Sequence, residues 1–168
     1  DITYLKSIGY KEDFLNYLKD LKFTGNIKSM QEGEICFGNE PLLRVEAPLI
    51  QAQLIETILL NIINFQTLIA TKASRIRQIA THDTLMEFGT RRAQEIDAAL
   101  WGARAAFIGG FDSTSNVRAG KLFNIPVSGT HAHALVQTYG DEYIAFKKYA
   151  ERHKNCVFLV DTFHTLKS

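Results

Sequence analysis

The chain has 168 residues, 46% of them hydrophobic and 22% charged, with 11 Gly, 3 Pro and 2 Cys. This composition excludes a disordered tract, a collagen-like repeat and a disulfide-stapled miniprotein, leaving ordinary globular material. Nineteen basic against eighteen acidic residues give a formal charge of +1, so no global field draws in nucleic acid or an anionic membrane surface, and any anion site must be local.

The chain opens at Asp1 without a methionine and stops just after an apolar run, so a piece of a larger protein is expected. Cys36 and Cys156 form no CxxC pair; they are expected to be buried thiols in a reducing cytosol. No signal peptide is visible. The apolar stretch from Pro48 to Ala80 is broken by Gln51, Glu56, Asn61, Asn64, Lys72, Arg75 and Arg77, which argues against a membrane span. A cytoplasmic location is the expectation.

In chain order, Phe14, Leu15, Leu18 and Leu21 recur at helical spacing, predicting an amphipathic helix between Tyr10 and Leu21. From Lys22 to Val45, the β-favouring pieces Lys22–Phe23, Ile35–Phe37 and Leu42–Val45 alternate with turn signals at Gly25-Asn26, Glu32-Gly33-Glu34 and Gly38-Asn39. Small antiparallel strands are expected there. Pro48 opens about thirty residues of helical periodicity, read as two helices broken near Asn61 to Phe65; the first is apolar on most sides, which implies burial all round.

After Thr84, short apolar strands end in polar loops and lead into helices. Leu85–Phe88 leads through Gly89–Arg92 into a helix from Ala93 to Ile108. Gly109–Phe111 leads through Asp112–Asn116 into a helix from Val117 to Phe123. Ile125–Val127 leads through Ser128–His133 into helix as far as Tyr149, and Cys156–Val160 leads into Asp161-Thr162. Four such units predict a parallel α/β arrangement, barrel or open sheet, with ligands at the carboxyl ends of the strands. A boundary near Ala80 divides a strand-and-helix segment, 1–80, from a partial α/β barrel, 81–168.

Phe88-Gly89-Thr90-Arg91-Arg92 places a ring and two guanidinium groups at a strand-to-helix junction, suited to a flat aromatic carboxylate or to a phosphate. Ion pairs of Arg91 and Arg92 with Glu87, Glu95 or Asp97, around a core Phe88, are the bland alternative. In Ser128-Gly129-Thr130-His131-Ala132-His133 a histidine can act as base, phosphoryl acceptor or metal ligand, and the His-x-His spacing also admits a metal pair. Thr130 offers a hydroxyl to an anion or an N-cap to the next helix. The loop Asp112–Asn116 could cradle a phosphate or simply cap. Asp161-Thr162 could face ribose hydroxyls or Mg²⁺, or cap and pair.

The strings Glu87-Phe88-Gly89-Thr90-Arg91-Arg92-Ala93-Gln94, Gly109-Gly110-Phe111-Asp112-Ser113-Thr114-Ser115-Asn116-Val117 and Pro126-Val127-Ser128-Gly129-Thr130-His131-Ala132-His133 resemble, in order and spacing, those of the nicotinate phosphoribosyltransferase family. The likeness extends upstream through Asn39–Val45 and Leu60–Leu68 and downstream into Val160-Asp161-Thr162, and is closest to the bacterial form. It implies an enzyme of NAD biosynthesis that joins nicotinate to 5-phosphoribosyl 1-pyrophosphate, coupled to ATP hydrolysis through a phosphohistidine. The implied fold is an irregular α/β barrel of the type II phosphoribosyltransferase kind, preceded by a small strand-and-helix segment.

By position, His133 matches the phosphorylated histidine of the Gly-Thr-x-Ala-His motif. Thr130 matches the threonine that contacts nicotinate, Phe88 and Arg91 match the nicotinate pocket, and Asp161 and Thr162 match the strand end that faces the ribosyl pyrophosphate. Mg²⁺ accompanies ATP and the ribosyl pyrophosphate, no resident metal site is implied, and the full-length protein is expected to be a homodimer without nucleic-acid or membrane partners. Full-length members are longer, with an N-terminal Tyr for the partner subunit's site and a later Arg and phosphate loop, so this segment alone is expected to be inactive. The rivals are a quinolinate phosphoribosyltransferase, which releases CO₂ without ATP; a barrel metal hydrolase using His131 and His133; and a non-catalytic oligomerisation segment with the Pro48–Ala80 helices as its surface.

Overall fold

The computed structural model describes residues 1–168, which fall into two compact units, Asp1–Ile63 and Asn64–Ser168. The division lies inside a helix and not near Ala80.

In the first unit, α1 (Ile2–Ser7) precedes α2 (Glu12–Lys19), which buries Leu15 completely, as the spacing of its apolar residues predicts. β1 (Asn26–Ser29) pairs antiparallel with β2 (Leu43–Glu46), with Ile27 opposite Val45. Only the Leu42–Val45 expectation finds its strand. Lys22–Phe23 is not paired, because the next amide, Thr24, donates to the buried side chain of Gln51 at 2.8 Å. Ile35–Phe37 stays in the long hairpin loop with Ile35 and Phe37 exposed, and the Glu34 and Glu40 carboxylates take the amides of Gln31 and Phe37 that a ladder would need. Gly25-Asn26 does not end a strand; Asn26 begins one.

α3 (Leu49–Ile79) is one helix of 31 residues. With neither Gly nor Pro inside it, the exposed Asn61 and Asn64 do not interrupt its backbone bonds. Burial all round does not follow either, since Leu49, Ile58, Leu60 and Leu68 are exposed. By length and composition alone it is apolar enough to cross a membrane, with a mean hydropathy of 1.5 over its most apolar window. Its second half, however, meets the turn at Gly109 through Ala70 and the buried Ala73: a Cβ on Gly109 would lie 2.5 Å from the Ala70 carbonyl oxygen and 2.6 Å from the Ala73 Cβ, so this close approach needs glycine. That contact draws residues 64–79 into the second unit and moves the division away from Ala80.

In the second unit β3 (Met86–Glu87) pairs in parallel with β4 (Ser113–Thr114), and Thr114 makes a further parallel bridge to Val127. Parallel strands joined by helices are as expected, but the strands are very short. The predicted strand Gly109–Phe111 is a turn, with Gly110 at φ 103°, and the strand falls on Ser113–Thr114, read from the sequence as loop. Cys156–Val160 joins no ladder. Between the strands run α4 (Ile96–Ile108) and α5 (Val117–Phe123), the latter with the bounds predicted; Leu100, Ala103 and Ala119 form the core against Phe123. The predicted helix ending at Tyr149 is two, α6 (His133–Tyr139) and α7 (Glu142–Ala150), separated by Gly140 at φ 67°. Cys36 and Cys156 are free and half-buried.

Arg77, from the last turns of α3, ties this unit together. Its guanidinium donates to the Gly110 carbonyl at 2.7 Å and to the Asp83 carbonyl at 2.8 Å, and pairs with Asp112 at 2.5 Å. Asp112 also accepts from the Leu85 amide at 2.7 Å, just before β3. Replacement of Arg77 by Ala is expected to lower unfolding stability by about 2–4 kcal/mol, the scale of several lost charge-assisted bonds, read by chemical denaturation. The Leu85 amide and then Arg77 hold the Asp112 carboxyl below its ordinary 3.8. The folded state therefore binds that proton less readily than the unfolded chain; its contribution is present above the ordinary value and is lost as pH falls through it toward the lowered one. Asp112→Asn is expected to flatten the loss of melting temperature between pH 5 and 3 relative to wild type.

Candidate functional site

The carboxyl ends of β3, β4 and the Ile125–Val127 segment lie side by side, because Glu87 and Thr114 are register partners and the Thr114 carbonyl accepts from the Ser128 amide at 3.1 Å. Glu87 joins these ends. One of its oxygens accepts from the Gly89 amide and the other from the Thr114 hydroxyl at 2.6 Å, while the Thr114 oxygen accepts from the Asn116 amide at 3.0 Å. Thr114 is fully buried, so each group in this chain meets a partner in place of water.

This chain of bonds fixes the loop after β3. Gly89, whose amide it holds, is followed by a 3₁₀ turn at Thr90–Arg92. Phe88 is exposed and not core, and the acids suggested as partners of Arg91 and Arg92 are engaged elsewhere. Glu87 faces Gly89 and Thr114, Glu95 accepts from the Asp97 amide at 3.0 Å, and Asp97 pairs with Arg118 at 3.4 Å. The ion-pair alternative therefore fails, and the two guanidinium groups of this loop have no acid of the chain paired to them. Beside this loop a cleft of about 370 Å³ is lined by Phe65, Lys72, Glu87, Arg92, Gln94 and small residues of α4; Phe88 and Arg91 do not line it. The backbone leaves the loop through Glu95 at φ 91°, a conformation unfavourable for any residue but glycine, and the Asp97 and Ile96 amides hold its carboxyl below the ordinary range.

His133, the first residue of α6, forms the second group. Its Nδ1 lies 3.1 Å from the Thr162 hydroxyl and its Nε2 3.7 Å from the Asp161 carboxylate, with about a third of its side chain exposed. The structure thus brings His133 together with the adjacent pair Asp161 and Thr162, which lie 28 and 29 positions further along the chain. Thr130 is adjacent in the chain, but its hydroxyl donates to the His131 carbonyl at 3.0 Å, and the N-cap of α6 is Ala132, which removes the capping alternative. No hydrogen bond or ion pair joins the Phe88–Arg91 loop to the His133 group.

His131 does not share a site with His133. It is buried, its Nε2 accepts from the Leu159 amide at 3.1 Å, and its ring packs among Phe146, Tyr149 and Phe158. A metal pair would require both imidazoles to converge, and no group of three or more His, Cys, Asp or Glu side chains comes together. The Asp112–Asn116 loop is likewise committed: Asp112 to Arg77 and Leu85, Thr114 to Glu87, and Asn116 to the Ala119 amide as the cap of α5. Within it only the buried Ser113 hydroxyl is left without a partner. Sequence reading missed Glu87 as the organiser of the loop, because a carboxylate two residues before a glycine gives no signal of the buried threonine waiting 27 positions later.

Two family models match the chain. The nicotinate phosphoribosyltransferase N-terminal domain covers residues 1–64, and the nicotinate phosphoribosyltransferase family model covers residues 84–158. The chain is 69% identical over its whole length to the nicotinate phosphoribosyltransferase of Bacillus subtilis, of which it covers 34%. Among solved structures, human nicotinic acid phosphoribosyltransferase is 38% identical with a TM-score of 0.75, over 82% of this chain and 29% of that one. The nicotinate-nucleotide pyrophosphorylase of Pyrococcus furiosus is 34% identical with a TM-score of 0.78, over 84% and 37%. The chain spans about a third of the length of the curated relatives it matches.

Thr114→Val keeps the shape of the β4 residue but leaves the Glu87 carboxylate and the Asn116 amide each short of a partner. A loss of about 1–3 kcal/mol is expected, read by chemical denaturation. Amide hydrogen exchange at Gly89 should rise in the same variant; unchanged exchange there would show that the loop is held by something else.

Proposed function

Because this chain belongs to the nicotinate phosphoribosyltransferase family, we propose that it is the segment of such an enzyme that carries a nicotinate pocket and a phosphoacceptor histidine. The reaction is transfer of a ribosyl 5-phosphate unit in NAD biosynthesis. The pyridine nitrogen of nicotinate bonds to the ribose C1, the C1–oxygen bond breaks, and pyrophosphate leaves. Nicotinate mononucleotide is the product, with ATP hydrolysis coupled to the transfer. The protein is expected in the cytoplasm as a homodimer, and the parallel strand ends are expected to belong to an irregular α/β barrel completed by the rest of the chain.

An unpaired Arg91 and an exposed Phe88 on one short loop support the nicotinate assignment, since a planar carboxylate takes two parallel N–H bonds and a pyridine ring takes a stacking face. Thr130 can add a hydroxyl bond to the substrate once it leaves the His131 carbonyl. The observation that carries the reading is His133 held between Asp161 and Thr162 at the end of the Gly-Thr-x-Ala-His string.

A carboxylate near Nε2 favours the proton there and leaves the Nδ1 lone pair available once the Thr162 hydroxyl turns aside. Attack of Nδ1 on the γ-phosphorus breaks the bond to the bridging oxygen and releases ADP. The ring is then cationic until Nε2 gives up its proton, and Asp161 stands where it can stabilise that charge. The donor set suits Mg²⁺ carried by substrate phosphates: Asp161 and Thr162 offer oxygen ligands to a cation that commonly binds through one or two carboxylates and phosphate. When bound, such an ion would neutralise phosphate charge.

In the full-length enzyme His133→Ala is expected to abolish the dependence of product yield on ATP while leaving slow ATP-independent transfer; loss of both would assign His133 another role. Arg91→Ala is expected to raise KM for nicotinate about 50-fold, as the loss of a charge-assisted fork implies, with KM for the ribosyl pyrophosphate little changed. CO₂ release from quinolinate without ATP would favour the quinolinate reading instead. Measurable steady-state turnover by residues 1–168 alone would contradict the expectation that this segment is inactive by itself.

A further inference from the structure

We propose that His131, the undetermined position of the Gly-Thr-x-Ala-His string, is a positioning residue that holds Asp161 and Thr162 against His133; this rests on the reading of His133 as phosphoacceptor. Residues 156–160 join no ladder, so no neighbouring strand sets where residues 161 and 162 fall. The bonds that tie this stretch to the 128–133 loop run through the two histidines. The Leu159 amide donates to His131 Nε2 at 3.1 Å, and two residues past His131 the ring of His133 meets the Asp161 carboxylate and the Thr162 hydroxyl, two and three residues past Leu159.

The imidazole of His131 is built to serve as that anchor. It is 6% exposed. Its ring centroid lies 5.0 Å from Tyr149, 5.4 Å from Phe146 and 6.2 Å from Phe158, and Phe146 and Phe158 stack on one another at 4.9 Å. These contacts clamp the ring and the 158–159 backbone to α7. Nδ1 sits 3.4 Å from the Ala132 carbonyl, so the neutral ring carries its hydrogen on Nδ1 and presents the Nε2 lone pair to the Leu159 amide. The side chain thus replaces a strand partner's carbonyl. Two residues span at most about 7 Å, so an anchor at Leu159 leaves Asp161 a short lever.

Three variants of the full-length enzyme separate the acceptor from the packing. His131→Phe keeps the ring contacts and loses the acceptor. His131→Gln loses the ring but places a carbonyl oxygen where Nε2 lies, and His131→Asn carries the same amide one carbon short. The readout is the single-turnover rate of His133 phosphorylation from Mg-ATP, alongside melting temperature and KM for nicotinate. H131F is expected to phosphorylate at least tenfold more slowly than wild type with KM for nicotinate unchanged, H131Q to recover to within threefold, and H131N to match H131F. Wild-type rates in folded H131F, or in H131N should H131F fail to fold, would overturn the proposal, as would an H131Q as slow as H131N at equal melting temperature. Absence of phosphate on His133 in the wild type would instead remove the reading of His133 and the proposal with it.

Discussion

Very short parallel strands are the constraint on which the second unit depends. Two-residue strands supply few ladder bonds, so side chains complete what the backbone leaves open: Asp112 takes the Leu85 amide ahead of β3, Glu87 the Gly89 amide beyond it, Thr114 the Asn116 amide, and His131 the Leu159 amide. Each of these polar groups lies at or near a strand end because that is where amides would otherwise go unpaired. The same constraint sorts the polar residues there by role. Those bound into the backbone hold the loops in place, whereas Arg91 and the His133 group are not bound into it.

The division of labour also explains why the two histidines of one short string differ. His131 turns into an aromatic cluster and spends its acceptor on the main chain, whereas His133 remains a third exposed with its ring nitrogens beside a hydroxyl and a carboxylate. A buried, clamped imidazole beside an accessible one suits a site in which only one ring changes its covalent state.

Much of this was legible in the sequence where local rules decide. The bounds of α5 follow from its Asn116 cap, the inner face of α2 from the spacing around Leu15, and the parallel order from the alternation of apolar runs with helices. The resemblance read from Phe88, Arg91 and His133 named the family that the comparisons show. What escaped it was decided by distant partners. Strand pairing at Ser113–Thr114 depends on Met86 and Glu87, and the surroundings of His131 on Leu159, 28 positions away. The metal-pair alternative was reasonable from spacing alone and fails only because the two rings find different neighbours.

The claim at the centre of this account is that His133 accepts a phosphoryl group. The most direct measurement is the intact mass of the full-length protein before and after incubation with Mg-ATP, followed by peptide mapping at neutral pH, where a phosphohistidine survives. Gain of a single acid-labile phosphate on the peptide containing His133 is the predicted result. No gain, or a phosphate that maps to any other residue, would contradict it.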